Sequence, residues 1–175
     1  MDLAAHCLED LTVEFRKIRS LAEGAIAQAA AEDVFRAVNP ESNSIAIVMR
    51  HVSGNLKSRF TEFLTTDGEK PDRRRDGEFE IPPGTTRETL LADWDLAFSR
   101  LEGTLAALTP ADLTTDVQIR GERMTVLAAL HRSLAHTSMH AGQIVMLAKQ
   151  LRGSSWRTLS IPRGQSETFS GQRRF

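Results

Sequence analysis

The chain has 175 residues, 41% hydrophobic and 26% charged, with 22 lysines and arginines against 23 aspartates and glutamates. That length suits a single domain, residues 1–175, with one sizeable core, and the near-neutral balance argues against a nucleic-acid binder, which usually carries a basic face. No apolar run reaches the roughly 18 residues needed to span a bilayer. The lone Cys7 excludes an intramolecular disulfide, and a start rich in acids lacks a signal pattern, so a cytoplasmic location is expected.

The first helix is expected from about Leu3 to Ala30, where Leu8, Leu11, Phe15, Ile18, Leu21, Ala22 and Ala25 recur at three- and four-residue steps. Asn39-Pro40 breaks the chain. The second helix starts after Ser42-Asn43-Ser44, all good N-caps. Its stripe is Ile45, Val48, Met49, Val52, Leu56, Phe60 and Phe63, and it is expected to end near Thr65 to Gly68, with Gly68 left-handed at the C-terminus. A long polar loop follows to Gly84. Within it, Asp72-Arg73-Arg74-Arg75-Asp76 is basic but flanked by acids, and reads as a solvated loop.

The third helix opens on Thr85-Thr86-Arg87-Glu88, a match to the capping box. It presents Leu90, Leu91, Trp94, Ala97, Phe98, Leu101, Leu105 and Leu108 before Thr109-Pro110 closes it. A short extended or hairpin stretch is expected between Leu113 and Arg123. The fourth helix runs from about Thr125 to Leu151. Beyond it, Trp156, Leu159, Ile161 and Phe169 suggest a tail lying on the body, while Arg173-Arg174 reads as a solvated end. Four helices with one long connection make an all-α four-helix bundle.

Three histidines stand out. His136 and His140 form an H-x3-H pair, which puts two imidazoles about 40° apart on one helix face. Such a pair can hold a divalent metal, and a third histidine from a facing helix would leave a coordination position open for chemistry. With Leu130 as the centre of the fourth helix's stripe, His140 lies about 80° and His136 about 120° to one side, and His131 about 100° to the other. His51 lies about 120° from the line of Ile45, Val52, Leu56 and Phe63 on the second helix. All three therefore sit at stripe edges. Spacing alone does not bring His51 opposite the pair.

The segments from Ser44 to Asn55 and from Leu134 to Ile144 resemble the DinB/YfiT-like superfamily of metal-dependent enzymes, and within it a bacterial branch. Leu64 to Pro71, Arg120-Gly-Glu122 and Ser160 to Glu167 add to the likeness. The resemblance implies a four-helix bundle of DinB type with an unusual helix order, often a homodimer. It further implies a metal, commonly nickel or zinc, held by His51, His136 and His140. Some relatives are transferases or isomerases that use a low-molecular-weight thiol.

The expected function is therefore a metal-dependent hydrolase or thiol transferase acting on a small molecule, in which the ion lowers the pKa of a water or thiol. The alternative is a non-catalytic dimeric bundle with a structural or vestigial metal. Cys7 reads as incidental, so the nucleophile is expected from outside the chain. Asn55 and Gln143 are candidates to orient a ligand or substrate. Asp93, Asp95 and Glu122 are the candidate acceptors behind the histidines.

Overall fold

Each stretch with a three-and-four apolar step folds into a helix in the computed structural model, which describes residues 2–168. The helices are α1 (Leu3–Gln28), α2 (Ile45–Phe60), α3 (Arg87–Ala107) and α4 (Val126–Arg152), and a hairpin of β1 (Asp116–Ile119) and β2 (Glu122–Thr125) precedes α4. α1 packs mainly on α4, and α2 mainly on α3 and then α4. One apolar core joins them. Trp94, Phe15, Phe98, Met49 and Leu130 are among its fully buried side chains.

Side-chain oxygens start three of the helices by accepting from backbone N–H groups that have no partner within the first turn. Ser44 accepts from Ile47, Thr86 from Thr89 and Thr125 from Ala128. The capping box of α3 is Thr86 with Thr89 rather than Thr85 with Glu88. The Thr85 hydroxyl instead donates to the Pro82 carbonyl at 2.7 Å, which closes the preceding turn. At the other end of α1, Arg87 donates to the carbonyls of Ile26 and Ala29 at 2.9 and 3.2 Å. Ile26, which also accepts from the Ala29 N–H, thus carries two donors, at the end where a helix leaves its carbonyls open.

α2 is shorter than its stripe suggests. It stops at Phe60, and Glu62 takes the left-handed turn at φ 49°, although Phe63 is still buried. Gly68 is not a helix cap. A Cβ there would meet Arg59 Cδ and Ile119 Cγ1, both at 3.2 Å, so its bareness permits close packing. Leu21 departs from the α1 stripe and is 38% exposed.

The segment after α2 is stitched to the hairpin. Gly68 N–H donates to the Gln118 carbonyl, and the Asp67 carboxylate accepts from the backbone N–H groups of Arg120 and Gly121 at 2.8 and 2.7 Å. Arg120 and Gly121 form the two-residue turn of the hairpin, with φ of 57° and 76°, the mirror-image turn that suits the strand twist.

The tail lies on the body through residue 159. The Gln28 side chain donates to the Arg157 carbonyl and accepts from its N–H, and Leu159 sits over Gly24. Phe169 and Arg173-Arg174 lie outside the described residues. Among the described residues, no helix is long and apolar enough to cross a membrane.

Replacing Trp94 by alanine should lower stability by about 3–5 kcal/mol in urea unfolding, because it empties a fully buried site. Leu21→Ala should change it by less than about 1 kcal/mol.

Candidate metal centre

α4 supplies two of the histidines from its flank, as helical phase requires. Its buried line runs through Val126, Leu130, Ser133, Thr137, Ala141, Ile144 and Ala148, so His136 and His140 fall at its edge and are half-buried. His131 is exposed on the other side. Because α2 packs beside α4, His51 meets the pair. Its Nε2 lies 3.1 Å from His136 Nε2, which lies 3.2 Å from His140 Nε2. Two nitrogens each about 2.0–2.1 Å from one ion stand roughly 2.8–3.0 Å apart at an octahedral angle and roughly 3.3–3.4 Å at a tetrahedral one, and the observed separations fall between. One ligand nitrogen from each ring lies within 4.8 Å of the others, close enough for all three to hold a metal ion.

His51 is only 5% exposed, against the edge position that its phase suggests. The reason is the turn at Asp76–Phe79 in the long loop, which folds over it. The Phe79 ring lies 4.9 Å from the imidazole, and Glu78 Oε2 lies 2.8 Å from His51 Nδ1. Glu78 is itself buried and clamped by Arg73, whose Nε and Nη2 donate to Oε1 and Oε2 at 2.8 and 2.9 Å. Burial pushes the Glu78 carboxyl up. The hydrogen bonds from His51 and Arg73 and the Arg73 charge outweigh it and hold the pKa below the ordinary carboxylate value. An ionised Glu78 accepts the proton of His51 Nδ1, so a neutral ring carries its lone pair on Nε2, aimed at the other histidines.

The same logic acts at His140, where Nδ1 lies 2.8 Å from the Gln143 side-chain oxygen. A neutral His140 then also presents a lone pair at Nε2. The one proton that His136 Nε2 could donate can satisfy only one of these two neighbours, whereas a cation satisfies all three nitrogens. His136 Nδ1 is buried without a hydrogen-bond partner among the described residues. Burial, followed by the neighbouring His140, His51, Arg73 and Arg59, pushes the His136 pKa down to about 4. Burial also lowers that of His140. Both rings are therefore ready to ligate at neutral pH without first losing a proton.

Of the residues expected behind the histidines, Gln143 takes that place on His140, whereas the three acidic candidates do not. Asp93 pairs with Lys57 and Asp95 with Arg19, each drawn off by a nearby cation, while Glu122 is exposed to solvent, 3.8 Å from Arg132. Glu78 and Gln143 fill the role. The basic run is also not simply a solvated loop. Arg73 has a 5% exposed side chain because Glu69 and Glu78 both turn inward and need a cation. Asn55 lines the cavity that opens on His51 and His136.

One signal for Glu78 was present in the sequence. Gly54 is an isolated glycine inside a helical pattern, where it costs about 1 kcal/mol against alanine and so asks for a packing reason, and it lies three residues after His51. A Cβ at Gly54 would fall 2.2 Å from Glu78 Oε1.

Gly54→Ala therefore makes a sign test. Alanine in a helix interior ordinarily adds up to about 1 kcal/mol over glycine. Here it should lower stability in chemical unfolding by about 1–3 kcal/mol, because it displaces a clamped carboxylate.

No curated protein and no solved structure matches the chain. A family model does: the one described as Protein of unknown function (DUF1572) matches residues 2–165. The chain that carries this three-histidine cluster accordingly belongs to the DUF1572 family.

Proposed function

We propose that this protein is a divalent-metal-dependent enzyme of DinB/YfiT-like type, with His51, His136 and His140 as ligands. It acts as a hydrolase or as a transferase that uses a low-molecular-weight thiol. The observation that carries the reading is the convergence of the three Nε2 atoms, with two of the outward nitrogens fixed by Glu78 and Gln143. Three neutral nitrogen ligands suit nickel or zinc, and they leave the full positive charge of the ion undiminished.

When bound, the ion would supply Lewis acidity that lowers the pKa of a water or thiol. The residues of the chain do the rest. Glu78, locked by Arg73, keeps His51 in the ligating tautomer. Gln143 does the same for His140. The cavity beside His51 and His136, about 250 Å³, gives a small molecule access to the open side, with Asn55 on its wall. Cys7 packs against the core from α1 and is absent from that wall, so a thiol must come from outside the chain. The likeness also supports a homodimer, which light scattering of the full chain would test.

Purified protein should contain stoichiometric nickel or zinc by elemental analysis. His51→Ala and His136→Ala should each abolish it while the helical circular dichroism persists. Unchanged metal content in both variants would refute the site, and collapse of the fold on chelation would favour a structural metal instead. Glu78→Gln keeps the size but loses the charge, and should weaken metal affinity by about 10–100-fold in a competition titration.

A further inference from the structure

We propose that the cavity against His51 and His136 is an anion subsite, built to hold the carboxylate or phosphate group of a small-molecule substrate beside the ion. As a substrate assignment it rests on the metal reading, but the capture of the anion rests on arginines alone. Five arginines line the cavity, and among the described residues no aspartate or glutamate does. They come from four separate parts of the chain: Arg59 from α2, Arg73 and Arg75 from the long loop, Arg120 from the hairpin turn and Arg132 from α4.

Two of the five have structural duties. Arg73 clamps Glu78, and Arg59 donates to the Gly68 carbonyl and to Glu69. The side chains of the other three are 48–50% exposed. Arg120 Nε donates to Glu69 at 3.2 Å, Arg75 lies over the Phe79 ring at 5.3 Å with Asp76 at 3.7 Å, and Arg132 stands 3.8 Å from Glu122. Arg120 also shares its Glu69 oxygen with Arg59 and Arg73. Glu69 and Glu78 together face these three guanidiniums, which leaves one positive charge unbalanced. Burial is the main cause that lowers the Arg59 pKa, with the Arg73 and Arg120 charges adding to it and Glu69 opposing, whereas at Arg73 burial is outweighed by Glu78 and Glu69, which raise its pKa. Planar guanidinium forks suit the paired oxygens of a carboxylate or phosphate. An anion held there would present its adjoining bond to the histidine cluster.

The test uses the full chain stripped of metal by a chelator and titrated calorimetrically at low ionic strength. Inorganic phosphate and succinate are the separate probes, one for each oxyanion class. At least one should bind, and the double variant Arg120→Ala, Arg132→Ala should weaken it by about tenfold or more. Arg132→Lys, on the half-exposed face of α4, keeps the charge and should fall between, because the fork is lost. Circular dichroism checks that each variant is folded. Binding of neither probe, or equal binding by the folded double variant and the parent chain, would overturn the proposal. Oxyanion binding without metal uptake would remove the metal reading and leave the subsite standing. Metal uptake without oxyanion binding would do the reverse.

Discussion

The buried Glu78 carboxylate is the constraint on which the site depends. A carboxylate that is only 7% exposed is tolerated when its charge is matched and its oxygens are hydrogen-bonded. Arg73 supplies the charge, and His51 takes the remaining acceptor capacity. This single group joins the long loop to α2, fixes the tautomer of one histidine and draws Arg73 inward. Glycine at position 54 is the complementary requirement, because any side chain there would occupy the same space.

The helical frame was legible because periodicity reports burial directly. The α2 stripe from Ile45 to Phe63 is buried at every position expected, and helical phase placed His136 and His140 on one flank of α4 and His131 on the other. Phase was less informative about depth. It describes one helix in isolation, so it could not register the Asp76–Phe79 turn that covers His51. The caps were misplaced by one residue at Thr85 and Thr86 because adjacent threonines offer the same chemistry.

The acceptors behind the histidines were harder to read for a physical reason. Glu78 lies 27 residues from His51, in a loop with no repeat to give it a face. Asp93 and Asp95 are on α3 beside cations of α2 and α1 that claim them. The arginine wall was hidden in the same way. Its members lie in a helix, a loop, a hairpin and another helix, so the one local run of charge, Arg73 to Arg75, announces only part of it. The near-neutral overall balance conceals a concentration of one sign at one place.

The hairpin tip separates scaffold from recognition. Asp67 grips Arg120 and Gly121 through their main-chain N–H groups, so the turn is held without reference to which side chain occupies position 120. Yet an arginine at φ 57° occupies a left-handed conformation that is roughly 1–2 kcal/mol unfavourable for a residue with a Cβ, and that glycine or asparagine adopts more easily. A more stable turn is thus available at this position, and it would remove a guanidinium from the cavity wall. The preferences of the cavity could be altered at this one site while the frame around it stays the same, with stability and ligand choice pulling in opposite directions.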